Sequence, residues 1–164
     1  VDVINDVSGL ADPEMVDVLA EAQCDVVVMH NLGVPADPTK TLACDDPLPP
    51  VIEYLRERLQ YLRRAGISSS RVTIDPGIGF GKTAEQSWDL LKRASELLAL
   101  NVRTLYGHSR KSFLADITSV PAEERDAYTL AISQHLTRQH VDIIRVHNVK
   151  MHQQAQEASW RLEA

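Results

Sequence analysis

Short apolar runs along the chain alternate with segments in which apolar residues recur every three or four positions. The runs are typical of buried strands, and the longer segments are typical of amphipathic helices. The predicted strands are Val1 to Asn5, Asp25 to His30, Val72 to Asp75, Val102 to Tyr106 and Asp142 to Val146. The predicted helices are Pro13 to about Ala22, Val51 to Ala65, Thr83 to about Leu100, Ala122 to Gln139 and Val149 to Leu162.

Each predicted strand lies too far from the next for a hairpin, so parallel strands joined by right-handed crossovers are expected. The fold class is therefore α/β. Two architectures fit this order of elements, a doubly wound open sheet and part of a (β/α)8 barrel, and both place ligands at the carboxyl ends of the strands. The long loop from Asn31 to Pro50, rich in Pro and Asp, is a candidate active-site or lid segment.

The composition is that of a globular protein, and one domain spanning residues 1–164 is expected, with 44% hydrophobic and 24% charged residues. The net charge of −6 argues against a nucleic-acid partner. The longest strongly apolar run, Val26 to Met29, is too short to cross a bilayer, and the first residues do not resemble a signal peptide. We therefore expect a cytoplasmic protein without a membrane partner. Cys24 and Cys44 lack the spacing of a zinc site or a disulfide framework.

The residues at the ends of the predicted strands are mostly polar. They are Asn5 and Asp6, Met29 and His30, Asp75, then Ser109, Arg110 and Lys111, and last Arg145, His147 and Asn148. In a parallel α/β protein these positions meet on one rim, which is the usual place for a ligand. Polar residues scattered over a solvated surface would show no such relation to the strands.

The segment Asp75-Pro76-Gly77-Ile78-Gly79-Phe80-Gly81-Lys82-Thr83 is rich in glycine but matches no nucleotide motif. A Walker A loop needs Gly where Pro76 stands, and a dinucleotide fingerprint needs Gly or Ala where Lys82 stands. What remains is a strand that ends in a carboxylate, followed by a turn whose backbone can approach a ligand closely. Phe80 lies at the tip of this turn, and the alternative is a tight turn that packs Phe80 into the core.

Two other segments carry positive charge. Arg110 and Lys111 follow a strand, and the segment from Gly107 to Phe113 suits an anion or an electron-rich heterocycle. Taken alone it could also be a basic helix start, although cations at a helix N-terminus are unfavourable without a bound anion. Arg145 and His147 alternate along the last strand and so point the same way. Together they could hold phosphate or pyrophosphate, whereas a lone His on a strand is more often structural.

Five segments together resemble the dihydropteroate synthase family from one end of the chain to the other. They are Ile4 to Gly9, Val28 to His30, Asp75 to Lys82, Ser109 to Phe113 and Arg145 to His147. Their order and their placement on strands match the family as well. The resemblance implies a (β/α)8 barrel and maps this chain onto its fourth to eighth strands, so the first three are expected to lie outside it.

The resemblance implies a pterin site made of five residues. Asn5 and Asp75 would bind the pyrimidine edge of the pterin, and Lys111 would reach its carbonyl side. Met29 and Phe80 would wall the flat ring. Asp75 and Lys111 are the expected catalytic residues.

The resemblance also implies sites for the other substrate groups. Ser109 and Lys111 would lie near para-aminobenzoate, Arg145 and His147 would bind pyrophosphate, and Gly107 is a further expected substrate contact. The implied reaction is substitution at the pterin methylene carbon, in which pyrophosphate departs and the aromatic amine attacks. Mg²⁺ would enter with the pyrophosphate, and its protein contacts are expected in the N-terminal part of the barrel, with no metal ligand in this chain.

The chain departs from the family pattern in two places. Asn148 stands where Asp is commoner, and Asn31 to Pro35 replaces an Arg-Gly-Thr-Pro type of loop. An incomplete barrel exposes two strand edges, which a second copy or an N-terminal barrel half is expected to cover. One alternative is a corrinoid methyltransferase domain that binds methyltetrahydrofolate, although Asn is usual there in place of the basic pair Arg110-Lys111. The other alternative is a non-catalytic pterin-binding subunit.

Overall fold

The computed structural model describes residues 1–37 and 39–163, and these contain five parallel strands. They are β1 (Val3–Asp6), β2 (Asp25–Met29), β3 (Val72–Asp75), β4 (Arg103–Tyr106) and β5 (Ile143–Ile144). Each strand pairs in parallel with the next in chain order. β5 is shorter than predicted, although the Arg145 N–H still donates to the Tyr106 carbonyl at 3.0 Å. The prediction of alternating parallel strands is confirmed.

The strand order decides between the two predicted architectures. A doubly wound sheet reverses its strand order at a switch point and carries helices on both faces. Here the order β1-β2-β3-β4-β5 never reverses, so right-handed crossovers leave the helices on one face. The other face is concave and holds a cavity of about 410 Å³, lined among others by Val27, Thr73, Leu105 and Ile143. The sheet is thus the curled part of a barrel.

Five α-helices connect and follow the strands in the described residues. They are α1 (Pro13–Glu21), α2 (Leu48–Arg64), α3 (Ala84–Lys92), α4 (Asp126–Arg138) and α5 (Val149–Glu163). α2 begins at Leu48 rather than at Val51, and Asp46 Oδ1 accepts the Leu48 N–H of its first turn at 3.0 Å. Pro49 and Pro50 fit its first turn, where backbone N–H groups have no partner within the helix. Within residues 1–37 and 39–163, no helix is both long and apolar enough to span a membrane.

Two predicted helices are partly 3-10 helix. α3 stops at Lys92, and Ala94–Leu100 continues as a 3-10 helix. Arg93 breaks the α-helix with φ −112° and ψ 28°. Its guanidinium binds three carboxylates, those of Asp46, Asp89 and Glu96. The predicted helix start at Ala122 is likewise a separate 3-10 turn, and α4 begins at Asp126.

The core lies between the convex face of the sheet and the helices. Ile74 and Tyr106, which are fully buried, pack there with Leu55 of α2 and Leu90 of α3. Side chains at alternate strand positions face the concave side instead. In register from strand to strand, these are Val3 and Asn5, then Asp25, Val27 and Met29, then Thr73 and Asp75, then Arg103 and Leu105, and last Ile143.

Candidate active site

Asp75 ends the central strand β3 at the carboxyl end of the concave face. The residue is 2% exposed, and its Oδ1 accepts the Gly77 N–H at 2.7 Å. Burial raises the pKa of Asp75, and the Gly77 N–H opposes that shift. Three nearby cations also oppose it, those of Lys111, Arg145 and Lys82. No side chain in the described residues donates a hydrogen bond to this carboxylate, so it is suited to N–H donors from a ligand.

The glycine-rich turn after β3 passes close to the end of β2. Gly77 has φ +71°, and a Cβ at this position would lie 2.0 Å from the His30 carbonyl oxygen. The Phe80 N–H donates to the Gly77 carbonyl at 2.9 Å and closes the turn. Phe80 is only half-buried, and Lys111 Nζ lies 4.5 Å from the centre of its ring. The turn therefore presents Phe80 at the rim and does not pack it into the core.

Lys82 is a buried amine behind the same turn. Its Nζ lies 2.9 Å from the Phe80 carbonyl oxygen and 2.9 Å from His30 Nδ1. Burial lowers the pKa of Lys82 to about 7 and that of His30 to about 3. The His30 ring meets the Tyr54 ring edge-on, with 4.8 Å between centroids. This network holds the turn from beneath, and Lys82 was not among the residues that the sequence assigned to the site.

The segment after β4 brings Ser109 and Lys111 to the rim. Lys111 Nζ donates to the Ile78 carbonyl, and burial lowers the pKa of Lys111 to about 8. Ser109 is buried, its Oγ lies 2.9 Å from His147 Nδ1, and the same oxygen accepts the His147 N–H at 3.3 Å. Ser109 thus joins the segment after β4 to the segment after β5.

Arg145 and His147 lie exposed just beyond β5. A Cβ at Gly107 would lie 2.7 Å from Arg145 Nη2, so the guanidinium crosses this position only because it is glycine. Together with Gly107, Ser109 and Lys111 they line a pocket of about 490 Å³. Cationic and neutral donors in one pocket suit an anion.

Arg110 differs from the expectation of two available cations after β4. Its Nε donates to Asp126 Oδ1 at 2.7 Å, and its Nη2 donates to Asp126 Oδ2 at 2.9 Å. This bidentate pair compensates the charge of Arg110, which also lines the pocket. Lys111 is therefore the cation of that segment that forms no salt bridge within the described residues. The helix that follows is a short 3-10 helix, Ser112–Asp116, so the argument from a strong helix dipole does not apply.

The two predicted site residues on β1 and β2 differ in exposure. Asn5 is exposed on the concave face and lines the cavity of about 410 Å³ together with Arg145. Met29 is 1% exposed, and its Cγ would lie 3.3 Å from a Cβ at Gly77. Met29 therefore lies beneath the glycine-rich turn, and its contact with a flat ring stays a prediction.

The long segment between β2 and α2 is fastened to the site. The Leu42 N–H donates to the Gly81 carbonyl at 3.0 Å. Gln86 Nε2 donates to the carbonyls of Leu42 at 3.0 Å and Cys44 at 2.7 Å. The segment thus supports the glycine-rich turn from the side of α3.

A family model covers nearly all of this architecture. The model, described as "Pterin binding enzyme", matches residues 1–147. The chain belongs to the pterin-binding enzyme family. All five strands and every residue assigned to the site lie within the matched range.

Curated members of the pterin-binding family resemble this chain over most of its length. The dihydropteroate synthase of Escherichia coli (strain K12) is 34% identical over 148 residues, which are 90% of this chain and 52% of the relative. A probable bifunctional folylpolyglutamate synthase/dihydropteroate synthase of Halobacterium salinarum is 43% identical over 148 residues, 90% of this chain and 18% of the relative. The chain thus spans about half of the first relative and less of the second.

A solved structure gives the same result for the fold. Dihydropteroate synthase from Anaplasma phagocytophilum, crystallised with bound 6-hydroxymethylpterin-monophosphate, superposes with a TM-score of 0.92 at 36% identity. The match covers 99% of this chain and 64% of that one. The prediction of a partial barrel is confirmed.

Proposed function

We propose that this chain forms the pterin-binding and pyrophosphate-binding side of a dihydropteroate synthase. The environment of the Asp75 side chain is the main evidence for this proposal. It is a 2% exposed carboxylate at the converging strand ends, and within the described residues no side chain donates to it. The aminopyrimidine edge of a pterin presents adjacent N–H donors, and a carboxylate can accept two such bonds side by side.

Three further residues, together with Asp75, form the site for the pterin ring, which we call the ring site. Lys111 supplies N–H donors to the carbonyl side of the pterin. Phe80 offers a half-exposed aromatic face, against which a flat heterocycle can stack. Asn5 is exposed on the concave face, and its amide can both donate to and accept from the pyrimidine.

The pyrophosphate group occupies the pocket of about 490 Å³ beside Arg145, His147 and Ser109. Its negative charge increases as the bond to the pterin breaks. Fixed donors and cations that face this charge stabilise the transition state more than the ground state. Arg145 therefore assists departure of the leaving group as well as binding.

The reaction breaks the bond between the pterin methylene carbon and a pyrophosphate oxygen, and the bonding electrons leave with the pyrophosphate. The amine nitrogen of para-aminobenzoate then forms the new bond to carbon and loses one of its two protons to solvent water. Ser109 and Lys111 lie beside this acceptor. The Asp75 carboxylate stabilises the cationic methylene pterin, so no protein nucleophile is needed.

Magnesium belongs with the pyrophosphate in this proposal. Within residues 1–37 and 39–163, no three His, Cys, Asp or Glu side chains are grouped to hold a metal ion. Mg²⁺ is usually bound by one or two carboxylates together with substrate phosphates, and the anion pocket offers one carboxylate, Glu123, beside the cations Lys111 and Arg145. Following the family resemblance, we place the protein contacts to the metal on the remainder of the barrel.

β1 and β5 are the edges of the described sheet, and a closed (β/α)8 barrel needs further strands beside them. We propose that these strands come from the same polypeptide or from a second one. A second copy of the chain is a further candidate partner.

Calorimetric titration with 6-hydroxymethylpterin tests the ring site, and added dihydropterin pyrophosphate with para-aminobenzoate tests turnover. We expect saturable binding by the chain, and condensation with pyrophosphate release once the complementary barrel strands are supplied. Lys111→Gln should weaken pterin binding, and the exposed Lys92→Gln is the matched control.

A folded chain that binds no pterin even with the complementary strands present would overturn the proposal. Binding without condensation would favour a non-catalytic pterin-binding subunit. Methyl transfer from methyltetrahydrofolate, without pyrophosphate release, would favour the corrinoid methyltransferase alternative.

A further inference from the structure

A carboxylate behind the anion pocket joins three segments of the chain. Asp126, the first residue of α4, accepts two hydrogen bonds from the Arg110 guanidinium at 2.7 and 2.9 Å. Its Oδ2 also accepts a bond from Asn148 Nδ2 at 3.0 Å. The Asp126 side chain is 20% exposed and that of Arg110 is 27% exposed, so water screens this network only partly.

Each partner of Asp126 adjoins a residue of the anion pocket. Arg110 stands between Ser109 and Lys111 and has a left-handed backbone with φ +58°. Asn148 follows His147 directly, and its Oδ1 accepts the Met151 N–H at 3.1 Å at the start of α5. The left-handed conformation is unfavourable for arginine, so the bonds to Asp126 help to hold it.

The same carboxylate explains why Asn148 suits this chain. An amide at position 148 can donate to Asp126, whereas a carboxylate there would repel it. Both Asn and Asp cap helices well, so helix capping alone does not select between them. The contact with Asp126 does select, and it favours the amide.

We infer that Asp126 is a positioning residue, which holds the segments after β4 and β5 so that Ser109, Lys111, Arg145 and His147 converge on one anion. This inference deepens the proposed function, since that anion is the pyrophosphate of the pterin substrate. Asp126 does not line the anion pocket itself. It acts through Arg110 on one side and through Asn148 on the other.

The sign of the change in affinity separates positioning from simple charge. Asp126→Asn removes a negative charge near the pocket and leaves Arg110 uncompensated, so electrostatics alone predict tighter binding of an anion. Positioning predicts weaker binding instead. We expect inorganic pyrophosphate to bind the Asp126→Asn chain about threefold or more weakly than the wild-type chain in calorimetric titration.

Glu123→Gln is the matched control, because Glu123 is exposed and lines the same pocket. Its loss of charge should tighten pyrophosphate binding. Unchanged or tighter binding by Asp126→Asn would overturn the inference, as would a wild-type chain that binds no pyrophosphate. Titration with 6-hydroxymethylpterin is a separate measurement. A chain that binds pyrophosphate but not this pterin would count against the proposed function and not against the positioning role.

A second pair of variants tests the inference even where Asp126→Asn folds poorly. Asn148→Asp keeps a good helix cap but sets two carboxylates against each other, so pyrophosphate affinity should fall about threefold or more. The double variant Asn148→Asp with Asp126→Asn restores one amide and one carboxylate at these two positions but not the pair with Arg110, so it should recover part of that loss. Equal loss in the single and the double variant would overturn the positioning role.

Discussion

Charged side chains lie at both ends of the concave face, but they form a salt bridge only at the amino end within the described residues. At the amino end, Arg103 Nη2 lies 2.6 Å from Asp25 Oδ2 and also donates to the Ser70 carbonyl at 3.1 Å. At the carboxyl end, Asp75 and Arg145 belong to the same face, yet neither forms a salt bridge within the described residues.

This difference separates structural charge from charge held ready for a ligand. The charge of an Arg that is already paired with a carboxylate is compensated, so it attracts an anionic ligand less strongly. A buried carboxylate without a side-chain donor costs free energy that a ligand with N–H groups can offset. The charged residues at both ends occupy alternate strand positions on the same face. Only their hydrogen-bond and salt-bridge partners distinguish the amino end from the carboxyl end.

The largest expected effect is on pterin binding, and it should separate Asp75 at the carboxyl end from Asp25 at the amino end. Asp75→Asn should weaken binding of 6-hydroxymethylpterin at least about 100-fold, because hydrogen bonds to a charged acceptor are lost. Its free energy of unfolding should stay level or rise, since a desolvated charge is removed. Asp25→Asn should leave binding unchanged, and calorimetry with thermal melts on both variants checks the contrast. Equal losses of binding would remove the distinction between the two ends.

A smaller effect is expected from filling the space above Gly107. Gly107→Ala places a Cβ 2.7 Å from the observed position of Arg145 Nη2, so the guanidinium must move. We expect about tenfold weaker pyrophosphate binding with little change in stability, because the displaced group is the end of a flexible side chain. Arg145→Gln should give a similar loss, and the double variant should lose no more than either single variant. Additive losses would show that Gly107 acts by another route.

The pH dependence of anion binding should reveal Lys111. Its pKa is lowered to about 8 by burial, so the cation is present below that pH and is lost as the pH rises. Sulfate keeps its charge over this range, and we expect it to bind about fivefold more weakly at pH 9.5 than at pH 7.5. Lys82, with a pKa of about 7, has lost most of its charge before the titration begins. Lys111→Arg stays charged and should give a flat profile, and a wild-type slope that persists in this variant would exclude Lys111 as the source.

The smallest effect is expected at the amino end. Arg103→Gln breaks a partly exposed pair, with side chains 41% and 34% exposed, and such pairs contribute about 0.2–1 kcal/mol. The free energy of unfolding in urea should therefore fall by less than about 1 kcal/mol, and pterin and pyrophosphate binding should not change. A large loss of binding would mean that this pair reaches the site after all.

The strands and the rim could be predicted from the sequence because both follow local rules. β3 is a short apolar run that ends in a carboxylate, and alternation alone puts Arg145 and His147 on one face. The rule that found the start of α1 at Asp12-Pro13 would also have indicated a helix start near Asp46-Pro47, within one residue of the observed start of α2 at Leu48, where the proline-rich composition instead suggested a loop.

Contacts between distant residues could not be predicted in this way. Arg93 ends α3 while it binds Asp46, which lies 47 residues earlier. Lys82 meets His30 across 52 residues, although the glycine-rich motif already included the lysine. Arg110 looked like a free cation because its partner Asp126 lies 16 residues further on and in a different element.

The strict alternation of the strands also limits how the length of this chain can vary. One residue gained or lost within β3 would carry the Asp75 carboxylate into the apolar layer where Ile74 now packs, and an apolar side chain would take its place at the rim. Insertions and deletions should therefore be selected against within the strands and tolerated only in connections that carry no residue of the site. The register of the sheet thus keeps the polar side chains of the site at the rim, even where substitutions alter many other positions.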